Sequence, residues 1–305
     1  MIVDLKSSLA VRAGYHLAEA PGWDAVGQRL LWVDHLVGVV HEARSDGAGG
    51  WREGRRWDLK RHIAAAIPRS KGGLVVVGAT DIVVLDEAGS IRPFAHINAD
   101  PRRVRLNDAK CDPQGRLWAG ALALDFTPQA ALYRIDPDGS VTTVLEQVIL
   151  SNGLDWSPDG HIFYYVDSCT LTIDAFDFDP ARGGLANRRS VVTLRRGDGV
   201  ANGLTVDREG CLWVALTGGG EVRRYAPDGE LLARVPISTP GPTSCAFGGT
   251  DGEHLFITSR AGRMPDVALK LGVRHDMMEN TGPEAGGVFV CRPGTSGAAA
   301  TPFAG

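Results

Sequence analysis

No apolar run in this chain of 305 residues approaches the ~18 consecutive residues that span a bilayer as a helix. The N-terminal stretch Met1-Ile2-Val3-Asp4-Leu5-Lys6 lacks the apolar core of a signal peptide. Cysteine is scarce. Cys111, Cys169, Cys211, Cys245 and Cys291 are odd in number and contain no C-x-x-C pair, so neither a disulfide framework nor a zinc site is suggested. These absences lead us to expect a cytoplasmic protein with no membrane attachment. Charge of one sign is also missing: 32 basic against 36 acidic residues give a net charge of -4, which provides no electrostatic footprint for nucleic acid. There is no Ser-His-Asp pattern and no Gly-x-Ser-x-Gly elbow, which argues against a covalent hydrolase. Segments of helical period are almost absent, and no feature indicates a protein partner.

Glycine, by contrast, is plentiful, at 39 residues, and it falls at a regular step. Strand markers occur at Leu31, Leu74, Leu117, Tyr164, Leu212 and Leu255, each 43 to 48 residues after the last. Each follows a Gly-bearing turn, such as Pro158-Asp159-Gly160 before Tyr164, and turn residues between two strand-like runs signal a hairpin. Six all-β units of about four strands predict a six-bladed β-propeller with a central channel, forming a single domain over residues 1–305. A pair of β-sandwiches is the competing architecture, but it has no need of a fixed step. Residues 260–286 interrupt the rhythm, and read either as a long loop of the last blade or as a lid over one end of the channel.

The first strand of each unit lines the channel of a propeller. Counting back from each marker places Glu19, Ile63, Asn107, Asn152, Asn202 and Thr243 at equivalent positions. Four of these six bring a carboxylate or carboxamide oxygen to one point on the axis. Oxygen donors without paired Cys or His suit a hard divalent ion such as Ca²⁺, Mg²⁺ or Mn²⁺. The alternative is that Asn152-Gly153 and Asn202-Gly203 are tight turns and nothing more. Arg105, two residues before Asn107, would sit at the same mouth and offer a fork of donors to substrate oxygens.

The chain resembles the regucalcin (senescence marker protein)/gluconolactonase/luciferin-regenerating family over most of its length, from Glu19 through Val290. The resemblance is carried by Ala18-Glu19-Ala20-Pro21-Gly22-Trp23, Arg105-Leu106-Asn107-Asp108, Ser151-Asn152-Gly153-Leu154, Tyr165-Val166-Asp167-Ser168 and Gly286-Gly287-Val288-Phe289. It implies a six-bladed propeller that holds one divalent ion (Ca, Zn, Mn or Mg) and hydrolyses a sugar lactone. Glu19 and Asn152 then match metal ligands, and Arg105 and Asn107 match residues that meet substrate. The third ligand departs from the pattern, since the family reads Pro-Asp-Gly where this chain has Ala201-Asn202-Gly203. An amide can lend its oxygen to a metal but cannot act as a base near neutral pH. As the counterpart of the family's catalytic Asp, Asn202 would orient water or substrate. Leu124-Asp125 stands where some relatives carry paired acids, making Asp125 a substrate-side candidate. Two readings follow: a metal-dependent lactone or ester hydrolase, or a propeller that binds metal and ligand with hydrolysis lost or redirected.

Overall fold

The computed structural model describes residues 2–12 and 14–305; Met1 and Ala13, which fall within the expected N-terminal segment and domain, lie outside the described residues. Six of the seven sheets among the described residues are arranged as a six-bladed β-propeller, as the turn spacing predicts. The first five blades take their four main strands in chain order, and Val3–Asp4 adds a parallel strand to the outer edge of the fifth. The first blade, for example, consists of Ala18–Asp24, Arg29–Asp34, Val39–Ser45 and Trp51–Asp58. The sixth is a composite. Its strands Pro242–Gly248, His254–Ser259 and Val288–Cys291 are completed on the outside by Ser8–Val11 from the start of the chain. Leu9 pairs with Phe289 and Val11 with Val288, so the two ends of the sequence close the ring inside one sheet. Among the described residues no helix is long and apolar enough to cross a membrane.

Second strands such as Arg29–Asp34 and Leu117–Ala123 are buried on both faces, because neighbouring blades pack against each. Hence they read as continuous apolar runs with tryptophan at their centres. Trp32, Trp118 and Trp213 are fully buried. The indole N–H of Trp118 is satisfied by Asp112, 2.9 Å away, and that of Trp213 by Asp207, also 2.9 Å away. Both aspartates also accept backbone N–H groups of their own hairpin turns, so one carboxylate ties a turn to the core packing above it.

At the opposite end of the channel, the C-terminal segment crosses underneath. Gly297 bridges to Asp207 and Phe303 to Arg69, while the Ala304 N–H donates to the Gly115 carbonyl. Ala298, Ala299, Ala300 and Thr301 thereby floor a cavity of ≈ 250 Å³ in the lower half of the channel. The irregular segment of the sixth blade is ordered by its own packing. It holds a small hairpin of Gly262–Arg263 with Glu279–Asn280 and a short helix, Val267–Lys270. Met264, Ala268, Val273 and Met278 bury themselves against Val200, where the inner strand of the fifth blade begins.

Candidate functional site

The ring positions share one backbone device. In five of the six inner strands the register with the second strand breaks at the residue in question: between Glu19 and Gly22, Leu106 and Asp108, Ser151 and Leu154, Ala201 and Leu204, and Pro242 and Ser244. These are β-bulges, which re-aim side chains that a regular strand would turn into the sheet packing. The bulge at Asn107 places Asn107 and Asp108 consecutively on the channel side, with Arg105 before them and Lys110 after. In the second blade the inner strand Ala65–Pro68 is short, and Ile63 is buried without offering an oxygen.

Neither Asn-Gly pair is a turn. Asn152-Gly153 lies within Ser151–Trp156 and Asn202-Gly203 within Val200–Val206. Glycine is required there because the inner strands converge. A Cβ on Gly153 would stand 2.4 Å from the Leu204 nitrogen, and one on Gly203 would stand 1.9 Å from Ser244 Oγ.

The asparagine amides are oriented by a hydrogen-bond relay that repeats from blade to blade. Ser168 Oγ donates to the Ala201 carbonyl at 2.5 Å, so it must accept from Asn152, whose Nδ2 lies 2.6 Å away. Thr217 Oγ1 donates to the Pro242 carbonyl at 2.6 Å and accepts from Asn202 Nδ2 at 3.0 Å. A carbonyl has no proton to give, so the hydroxyl directions, and with them the amide orientations, follow from chemistry. Asn107 Nδ2 donates to Asn152 Oδ1 at 2.9 Å and to the Ser151 carbonyl at 2.8 Å. Asn202 Oδ1, however, is buried with no partner, and an unmet buried acceptor calls for a ligand.

The strand starts are clamped as well. Asp167, which ends the second strand of the fourth blade, accepts the N–H groups of Ile149, Leu150 and Cys169; Asp34 does the same for His16 and Leu17. Each thereby fixes the approach to a ring residue, Asn152 or Glu19. Replacing Asp167 by Asn puts an amide NH₂ against backbone donors. Asp167→Asn should cost about 2–3 kcal/mol, to be read as a lowered urea midpoint; a midpoint equal to wild type would refute the clamp.

Burial is the main reason that the Glu19 carboxyl titrates well above the usual range, and the charge of Asp108 adds to it; Arg260 and a hydrogen bond from Asn202 oppose it. Glu19 and Asn202 are therefore direct neighbours, although 183 residues separate them in sequence. Burial likewise raises Asp108 to about 6, against the favourable charge of Lys110. Lys110 itself is paired with Asp155 at 2.8 Å. Burial depresses the guanidinium of Arg105 and that of Arg260, the latter against the pull of Glu19. His35 and His62 flank Arg105. Burial holds His62 at about 4 and His35 well below the ordinary range, so both are neutral.

The structure thus links Asn107 to Asn152 and Glu19 to Asn202, with Arg105 on the same wall. Asp125 lies on an exposed turn, where it accepts from the backbone N–H and hydroxyl of Thr127 and from the side-chain amide of Gln129. Sequence reading passed over Asp108, Arg260 and the relay hydroxyls Ser168 and Thr217. A signal for the hydroxyls was present: each closes or directly follows the second strand of an asparagine-bearing blade.

Residues 17–261 match the family model described as the SMP-30/Gluconolactonase/LRE-like region. The chain belongs to this family. As an SMP-30/gluconolactonase protein it is 37% identical to regucalcin of Danio rerio, over 84% of this chain and 86% of the relative. It is 33% identical to YvrE of Bacillus subtilis (strain 168), which carries a provisional sugar lactone lactonase name, over 95% of both chains. Among solved structures, a luciferin-regenerating enzyme superposes with a TM-score of 0.86 at 27% identity, covering 98% of this chain and 99% of that one. The gluconolactonase-like family and the propeller architecture expected from the sequence are both borne out.

Proposed function

We propose that this protein is a divalent-cation-dependent hydrolase of a sugar lactone or related cyclic ester. The observation that carries the reading is the buried, unpartnered Asn202 Oδ1 beside Glu19, in a ring whose amide groups are held by the hydroxyl relay. A carboxylate and carboxamide oxygens form a hard donor set, suited to Ca²⁺, Mn²⁺ or Mg²⁺. Zn²⁺ more often selects nitrogen and sulfur, and among the described residues no three His, Cys, Asp or Glu side chains cluster as ligands. Glu19, Asn152 and Asn202 would hold the ion. Bound there, it would supply Lewis acidity to the lactone carbonyl.

The chain's own residues do the rest. Arg105 and Asn107, on the wall of the third blade, hold substrate oxygens and present the ring to the axis. Asn202 orients the attacking water through its amide and takes no proton from it. Asp108, turned toward the channel by the bulge and close enough to Glu19 to perturb it, is the carboxylate left to accept that proton. Water adds at the acyl carbon and the ring C–O bond breaks. The products are a hydroxyl group and a carboxylate. The five cysteines, all unpaired, support a reducing compartment such as the cytoplasm.

The test is pH-stat hydrolysis of D-glucono-1,5-lactone and a small panel of aldonolactones. Chelation should reduce turnover by about a hundredfold, roughly 2.7 kcal/mol of barrier, and Mn²⁺ or Ca²⁺ should restore it. An ion that binds without any lactone being opened would defeat the hydrolase reading.

A further inference from the structure

The buried arginines of this fold are paired almost everywhere. Arg29 meets Asp24 and Glu42, Arg116 meets Asp112, Arg223 meets Asp198 and Glu221, and Arg224 meets Asp207 and Glu209. Arg105 and Arg260 break this rule. Each is partly buried at the channel mouth, each has a buried Nε with no acceptor, and among the described residues neither has a carboxylate within 4.0 Å. Arg260 spends one Nη on the Arg263 carbonyl, 2.8 Å away, and feels Glu19 only at longer range. Desolvating a guanidinium without an anion is costly, and a fold that pairs most of its buried arginines has left these two open at the channel; Arg234, whose Nε also lacks an acceptor, lies instead on the outer strand Leu231–Pro236 of the fifth blade.

Between them lies a second anomaly. His35 is 1% exposed, yet neither ring nitrogen has a partner. Its ring stands edge-on to His62 at 4.2 Å. His62 Nε2 is 3.0 Å from the Leu106 carbonyl, which makes Nε2 the protonated nitrogen of that neutral ring. Around the mouth the order is Arg260 beside Glu19, then His35, His62 and Arg105. The arc is charged at its two ends, Arg260 and Arg105, with the neutral rings of His35 and His62 between them. With a divalent ion on the ring, the positive groups outweigh Glu19 and Asp108.

We infer that this arc recognises an anionic substituent, and that the substrate is a lactone bearing a free carboxylate rather than a neutral aldonolactone. The inference rests on the lactonase reading for the reaction but not for the binding. A planar carboxylate fits the paired N–H groups of a guanidinium fork. A phosphate ester would share the charge, but the arc has no helix N-terminus to cradle it.

Two measurements separate the possibilities. The first is kcat/KM for D-glucaro-1,4-lactone, 6-phospho-D-glucono-1,5-lactone and D-glucono-1,5-lactone. The carboxylated lactone should exceed the neutral one by at least about tenfold, as expected for a charge-assisted contact. Arg260→Gln should compress that ratio by a similar factor, and Arg260→Lys should restore part of it. Preference for the neutral or the phosphorylated lactone, or an equal loss on all three in Arg260→Gln, would overturn the assignment. The second is calorimetric titration with D-glucuronate and D-glucose, which requires no turnover. Glucuronate should bind at least about tenfold more tightly to the wild type, and equal affinities would overturn the inference. If no lactone is opened yet glucuronate is selected, hydrolysis fails while anion recognition stands.

Discussion

Glu19→Gln should weaken divalent-ion binding by about a hundredfold, roughly 2.7 kcal/mol, while making the ion-free protein more stable. The two effects share one origin. Glu19 is the single carboxylate of the ring, so removing its charge strips most of the attraction for a hard cation. Without an ion, that same charge is a liability, buried beside Asp108 in a site that raises its pKa. An acid whose folded pKa lies above its unfolded value binds protons more readily in the folded state, and folding therefore loses stability as pH rises past the unfolded pKa. Glutamine keeps the shape without that loss. Thermal melts should show a higher Tm for the variant in chelator, and a much smaller rise when Ca²⁺ or Mn²⁺ is added. A variant that still gains as much from the ion as wild type would remove Glu19 from the cation site.

Asn202→Asp should act in the opposite sense. A second carboxylate on the ring should tighten ion binding by about ten- to a hundredfold, and lactone turnover should rise with it. The gain is limited by the relay. Asn202 donates to Thr217 Oγ1, whose own proton goes to the Pro242 carbonyl. A carboxylate cannot donate, so Thr217 must abandon either Pro242 or the new acid. Like charges at Glu19 and Asp108 add a further cost, and the ion-free variant should melt below wild type. Calorimetric titration with Mn²⁺ alongside lactone assays would decide. Unchanged affinity and rate would mean that this pocket is tuned to an amide for another purpose.

Much of this architecture was legible in the sequence because turn chemistry is local. Asp-Gly turns and Leu-Trp-Val strands recur at a fixed step, and counting by blades carried Glu19 and Asn202 to neighbouring places. The same counting could not tell an Asn-Gly turn from an Asn-Gly bulge. The dipeptide suits both, and only the convergence of adjacent inner strands on Gly153 and Gly203 decides between them. Arg260 was hidden because it belongs to the irregular segment, outside the repeat that supplied the ruler. His35 was hidden for another reason, since its meaning lies in the partners that both of its ring nitrogens lack. Asp125, placed by resemblance, occupies a turn whose local hydrogen bonds the surrounding letters did not announce.

The crossing of Ala298–Thr301 at the lower end of the channel favours traffic through the other end. A tube open at both ends could pass reactant in at one side and release hydroxy acid at the other. On the proposed lactone hydrolysis, with passage through the end where Arg105 and Arg260 stand, the newly formed anion would leave past the groups that attract anions. Traffic through that doorway, more than bond breaking on the axis, would then set the pace at high conversion.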